Sequence, residues 1–407
     1  MSRSGIPVTS PFYVVMLGLM SALPPFGIDV GLPALPNLQT DLGVTMAQAT
    51  QTLTLFLVGF AFGPVLFGPL SDRYGRKPIL LFGVAIFSLA ALGCAMARSI
   101  ELFLILRVIQ GIGAGAAAAL PAAIVRDVFS GDMAINRQSY VAVVNAVTPL
   151  VAPLIGAAII SIGTWHSIYQ ALAVIGTILF VSVLFGYRET APRQPVQGNI
   201  IRSTIHAYVQ VLSNRDYVLA TGLFAATFGI MFAYISSSSS VFMNVLGVSA
   251  STYGFLFALT AVGEIAGAAC NGRLAPHFGA SRLLTIAVIG CFIASVSLLT
   301  FAWLGVQSVA VCTICVVISN FCAGIIMPNA TYRALKDLGS VAGSAAALLR
   351  SLQMIAGACA AAAVGFVGGN HIEAMALIMA VFATIAFVLL NIATRRSARI
   401  SLVVGES

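Results

Sequence analysis

Charge is what this chain has least of. Only 8% of its 407 residues are Asp, Glu, Lys or Arg, while 59% are hydrophobic. Soluble domains carry about 25% charged residues, so a soluble core of this length is excluded. The apolar stretches run to roughly 20 residues and lack the alternation of ten-residue strands, which excludes a β-barrel and leaves an α-helical bundle. Cysteine outside the apolar stretches is also missing. Cys94, Cys270, Cys291, Cys312, Cys315, Cys322 and Cys359 all lie inside them, so no disulfide framework is expected. Cys312 and Cys315 have CxxC spacing without a second ligand pair, and no metal site follows. There is no GxxxxGK[ST] phosphate loop, which argues against ATP coupling. Nor is there a nucleophile–base constellation, so the chain reads as neither an enzyme nor a cofactor protein. The segment before the first apolar run is short, and that run holds Pro24, Pro25 and Asp29. It fits a retained first span better than a cleaved signal peptide.

What is present is a pattern of twelve spans, near 11–32, 49–70, 78–97, 101–125, 138–161, 166–187, 217–243, 252–272, 281–303, 307–330, 341–367 and 372–394. Threaded this way, seventeen of the twenty Lys and Arg residues fall on one side and only Arg98 on the other. Basic loops stay in the cytoplasm, so both termini of a multi-pass membrane protein are expected there. The net charge of +8 is then accounted for by topology and anionic headgroups, and nucleic acid is set aside. Trp165 and Trp303 sit at external span ends, where interfacial rings are expected. The polar, four-arginine stretch from Arg188 to Arg215 divides the spans six and six. The expected domains are 1–187, a cytoplasmic linker 188–216, and 217–407.

The halves read as weak parallel repeats. Gly68-Pro-Leu-Ser-Asp-Arg-Tyr-Gly75 matches Gly272-Arg-Leu-Ala-Pro-His-Phe-Gly279 at an offset of 204, and Pro121 and Arg126 match Pro328 and Arg333 at 207. Such repeats predict two helical bundles with a site at midplane between them. The first copy continues as Arg76-Lys77-Pro78, with Gly68 and Gly75 permitting a tight turn and close approach. The second copy lacks its acid and paired bases.

With the Gly68–Pro78 string the chain resembles the major facilitator superfamily of transporters. The resemblance implies a loop that clasps the cytoplasmic side shut, built from Gly68, Asp72, Arg73, Gly75, Arg76, Arg126 and Asp127. Arg107 in Leu104-Ile-Leu-Arg107-Val-Ile-Gln110-Gly111 matches the family's fourth-helix arginine, implicated in proton coupling. Pro149, Pro153 and Gly156 partly match the antiporter motif, with Ala152 and Ala157 replacing glycines. Asp29-Val-Gly-Leu-Pro33-Ala-Leu-Pro36, Arg126-Asp127, Glu189-Thr190 and Ala342-Gly-Ser344 resemble the Bcr/CflA type, the bicyclomycin- and chloramphenicol-resistance drug:proton antiporters. His166, Glu264 and Arg350 depart from that pattern.

The charges inside the spans are the candidate coupling groups: Asp29, Arg107, Glu264 and Arg350. A carboxylate in lipid costs about 2.5–3.5 kcal/mol, so Asp29 is expected to face a cavity, the alternative being an interfacial acid. Arg107 either acts there or reaches outward to the interface. Glu264 and Arg350 form either a buried ion pair or a second proton site with its modulator. Asp29, Asn145, Tyr234, Ser236, Asn320 and Gln353 are the expected substrate-cavity lining. Tyr234 to Ser240 is read that way against the alternative that its serines satisfy their own helix.

The expectation is therefore an all-α membrane protein of twelve helices in two six-helix bundles, the major facilitator fold. It would export small amphipathic molecules in exchange for protons, and work as a monomer in the lipid bilayer. A metabolite or sugar exporter or importer, and a non-transporting receptor or scaffold, are the alternatives.

Overall fold

The computed structural model describes residues 6–7, 10–190, 200–336, 338, 341–368 and 371–405. Among them, twelve helices are long and apolar enough to cross a membrane. The middle of the expected linker, residues 191–199, lies outside the described residues.

In the first half α1 (Pro11–Asp29) gives way to a 3-10 turn (Leu32–Ala34) and a short α2 (Leu35–Asp41). Next come α3 (Met46–Tyr74), α4 (Arg76–Met96), α5 (Ile100–Ala118), the short α6 (Pro121–Val128), α7 (Gly131–Ile162) and α8 (Trp165–Gly186). The second half holds α9 (Ile200–Ser213), α10 (Arg215–Ser239) running into a π-helical turn (Ser240–Val245), α11 (Ala250–Phe278), α12 (Ala280–Trp303), α13 (Val309–Leu335), α14 (Ala342–Gly368) and α15 (Ile372–Gly405). The ends follow local chemistry. Thr45 and Gln48 form a reciprocal capping box at the start of α3, Ser99 caps α5, and the Asn214 side chain accepts from the Asp216 and Tyr217 backbone N–H groups in the first turn of α10.

The chain divides into two compact units, Met1–Thr204 with Ser249–Ala258, and Ile205–Val248 with Leu259–Ser407. Inside the first, α3 and α4 pack on α5, α4 on α8, and α1 on α7. Inside the second, α12 packs on α13 and α15, and α10 on α14. Three of these pairings recur at the equivalent spans, as the sequence repeat predicts. One does not: α10 lies heavily against α15, whereas α1 barely meets α8.

Helices cross where side chains are smallest. A Cβ at Gly111 would run into the Phe56 carbonyl, and Gly63 faces Gly115, closing α3 onto α5. Gly263 and Gly267, at offset 204 from Gly59 and Gly63, bring α11 against Val317 and Phe321 of α13.

Two expectations need correction. The ring of Trp165 is not interfacial: it is 2% exposed, donates to Asp41 Oδ2 at 2.8 Å and meets Phe103 edge-on. A buried indole N–H needs an acceptor, and α2 supplies one. Trp303, by contrast, is 70% exposed at the end of α12. The turn after α3 also does not use Gly68. That residue lies inside α3 with open space around it, because the helix runs on to Tyr74 and only Gly75, with φ +99°, makes the turn.

Candidate functional site

Arg107 is the most enclosed charge in the molecule's first unit. It is 0% exposed, so it does not reach outward. Its Nε donates to the Thr52 carbonyl at 3.1 Å, and Nη1 to the Gly27 carbonyl at 3.2 Å and to Gln110 Oε1 at 2.7 Å. The guanidinium also lies 4.4 Å from the Phe56 ring centre. The reason for the Gly27 bond is local. At the end of α1, Gly31 N–H bonds to Ile28, three residues back, and thus releases the carbonyl of Gly27. Arg107 takes the released acceptor and places a cation at a helix C-terminus, where the dipole favours it.

Asp29 is the last residue of α1 and is 4% exposed, two residues past that carbonyl. Beyond it the chain tightens into the 3-10 turn. Gly156 of α7 faces this break: a Cβ there would strike the Val30 carbonyl and crowd Pro33. Three of the sequence motifs therefore converge at one place, the first-helix acid, the fourth-helix arginine and the antiporter-motif glycine. Pro149 and Pro153 lie inside the same α7. Asn145, also on α7, is exposed.

The second unit separates what the sequence suggested joining. Glu264 and Arg350 form no ion pair. Arg350 donates instead to Gln353 Oε1 at 3.1 Å and lies 5.8 Å from the Phe224 ring centre. The cause is helix pairing, since Glu264 rides on α11, which packs on α13, while Arg350 rides on α14, which packs on α10. Glu264 is half-buried and its own carbonyl faces Gly324. Asn320 is buried and donates to the Thr260 carbonyl across the α11–α13 contact at 3.5 Å. A buried Asn329–Asn271 bond of 2.7 Å ties the same helices and was missed; two polar residues in apolar runs were its only sequence signal.

Tyr234 and Ser236 to Ser240 are all buried. Ser237 and Ser238 return their hydroxyls to carbonyls one turn back, at 2.6 and 2.8 Å. Such back-bonding loosens the helix it serves, and the α-helix passes into its π-turn at Ser240.

The α3–α4 turn is a network inside the first unit. Arg76 pairs with Asp72, bonds to Ser71, and reaches Asp127 of α6 at 3.0 Å. Both carboxylate oxygens of Glu189 accept from the Arg76 and Lys77 backbone N–H groups, at 2.9 and 3.1 Å, which caps α4. In return Lys77 Nζ donates to the Leu184 and Tyr187 carbonyls at the end of α8. Each helix end thus receives the charge its dipole favours. Burial pushes the Tyr187 phenol well above its ordinary pKa, so it stays neutral beside Thr190. Two expected members lie outside the network. Arg73 leans over the Tyr74 ring, and Arg126 is exposed without an ion pair among the described residues. In the second copy of this turn Arg333 donates to Ser281 at 2.6 Å, a contact that the first copy does not have among the described residues.

Comparison with known proteins agrees with the fold. The Major Facilitator Superfamily model matches residues 17–361. A bicyclomycin resistance protein homolog of Haemophilus influenzae is 32% identical, over 85% of this chain and 87% of the relative. A chloramphenicol resistance protein of Pseudomonas aeruginosa is 33% identical over 70% and 67%. A solved bacterial homolog of the human lysosomal transporter Spinster, inward-facing and occupied, shares the fold at TM-score 0.74 and 18% identity, covering 96% of this chain and 98% of that one.

Proposed function

This chain belongs to the major facilitator superfamily, in its bicyclomycin- and chloramphenicol-resistance branch, and on that basis we propose that it exports small amphipathic drug-like molecules in exchange for protons. The names of its relatives supply the substrate class. The observation that carries the coupling is the setting of Asp29, a buried acid at the broken end of α1 beside a helix end held by Arg107.

Asp29 is the proton carrier in this reading. Exposure to the two sides of the membrane in turn then loads and unloads it. Each proton entering down a 100 mV potential supplies about 2.3 kcal/mol, without ATP. Arg107 positions Asp29 by fixing the Gly27 carbonyl two residues away. The α3–α4 turn, with Asp72, Arg76 and Asp127, governs switching. Glu264 is a second candidate proton site and Arg350 tunes the charge around Gln353. Tyr234, Ser236 and Asn145 remain the candidate lining. The site is the cytoplasmic membrane, with both termini inside, and the working unit is the monomer.

The test is expression in a drug-sensitive bacterium, read as growth across a panel of neutral, cationic and anionic inhibitors. Raised tolerance to some amphipathic members, abolished when a protonophore collapses the gradient, is expected. Unchanged tolerance across the panel, or tolerance insensitive to the protonophore, would refute the proposal.

A further inference from the structure

Arg350 holds a permanent charge inside the apolar span Gly343–Gly368. An arginine at that depth is costly against acyl chains and faces the interior of a bundle or a watered surface. The register of α14 follows that rule. Its exposed apolar residues Ile355, Cys359 and Phe366 mark one side of the helix. At 3.6 residues per turn they fall about 140–180° around the axis from Arg350. Arg350 is exposed on the other side. That side is turned to α10, since Gly357, two turns further along it, lies against Phe228 and Phe232.

The arginine is held, but not by an acid. Its Nη1 donates to Gln353 Oε1 at 3.1 Å, and the guanidinium lies 5.8 Å from the Phe224 ring centre. Gln353 and Phe224 are 3% and 2% exposed, so both supports are fixed by packing. Arginine only donates, and it therefore takes the oxygen of Gln353 and turns the amide nitrogen, a second donor, away from itself. Among the described residues no carboxylate pairs with Arg350. Glu264, the other charge within the spans of this unit, rides on α11 against α13. Asp216 stands eight residues before Phe224 in the first turn of α10, about 12 Å away along the helix. Phe224, Phe228 and Phe232 follow one another at successive turns of α10. Phe228 is half-buried, and the last two rings lie 4.8 Å apart. A cluster of donors thus stands at the end of an aromatic row.

We propose that Arg350 and Gln353 receive the carboxylate of an amphipathic aromatic acid, whose apolar part lies along the phenylalanines of α10. The planar fork of an arginine matches the two oxygens of a carboxylate. A neutral amphiphile leaves that charge unmatched, and a cationic one is repelled by it. The membrane potential agrees, because an inside-negative cell favours the outward movement of an anion. The inference rests on the export reading and narrows its substrate class.

The test is isothermal titration calorimetry on the purified full chain in detergent. The probes are naphthylacetate and pyrenylacetate, each set against its carboxamide, which keeps the shape and loses the charge. Each acid is expected to bind about tenfold more tightly than its amide, the effect of one charge-assisted hydrogen bond. Arg350→Gln should abolish that preference. Arg350→Lys should keep part of it, since the charge survives without the fork. Arg282→Gln, an exposed arginine at the start of α12, should leave the ratio unchanged. If Arg350→Gln does not fold, the wild-type ratio and its reduction in Arg350→Lys decide the matter. Acids bound no more tightly than their amides, or a full preference in either Arg350 variant, would overturn the proposal. Acid preference in a chain that raises no drug tolerance would leave this site standing and refute export. Raised tolerance without acid preference would do the reverse.

Discussion

At the scale of single residues, the charges that fall within the apolar spans differ in how they are held: Arg107 is buried, Glu264 half-buried and Arg350 exposed. Arg107 is satisfied by two carbonyls, an amide oxygen and an aromatic ring. Arg107→Lys keeps the charge but not the planar fork that serves acceptors on α1, α3 and α5 at once. Loss of one charge-assisted bond predicts about 1.5–3 kcal/mol of destabilisation, read as a lower melting temperature in detergent. An unchanged melting temperature would mean that the fork is dispensable. Glu264 and Arg350 should behave independently, because no contact joins them. The effects of Glu264→Gln and Arg350→Gln on thermal stability should add to within about 0.5 kcal/mol in the double variant. A larger coupling would show that they meet. The sequence singled out these charges, since a charge in an apolar run needs no structure to be noticed. It left the partners open, because helix pairing decides which side chains face each other.

At the scale of elements, the helix breaks lie at the candidate site residues, Asp29 and the serines of α10. Pattern and composition placed every spanning helix, but not the 3-10 turn after Asp29 or the π-turn after the serines. Neither changes hydropathy; each follows from where particular backbone carbonyls and hydroxyls bond. The α3–α4 turn shows the same limit. Its motif was legible, yet the cap from Glu189 comes from more than a hundred residues away. Gly75→Ala would strain a residue at φ +99° and push a methyl into the Glu189 carboxylate. About 1–3 kcal/mol of stability should be lost, measurable by thermal unfolding, whereas Gly68→Ala, in open space, should be neutral. Asp72 behaves differently, because its side chain is 59% exposed. Asp72→Asn should change stability by less than about 1 kcal/mol. It should nevertheless cut transport while substrate affinity stays within a few fold. Lost affinity with intact flux would remove the turn from switching.

At the scale of the whole molecule, two claims stand together: a topology set by basic loops and a transport cycle driven by protons. For the first, a cysteine introduced at Gly198 should react with an impermeant thiol reagent only after the cells are permeabilised. Reaction in intact cells would invert the map. The second rests on Asp29, the buried acid where the first-helix, fourth-helix and antiporter motifs meet. Asp29→Asn preserves size and hydrogen bonding but removes the exchangeable proton, and Asp29→Glu retains it at a shifted position. The decisive measurement is uphill export by purified protein in vesicles under an imposed proton gradient, with substrate-induced proton release followed in parallel. Asp29→Asn should bind substrate yet show neither gradient-driven export nor proton release, while Asp29→Glu keeps part of both. Uphill export by Asp29→Asn at the wild-type rate would contradict the account and move the proton to Glu264.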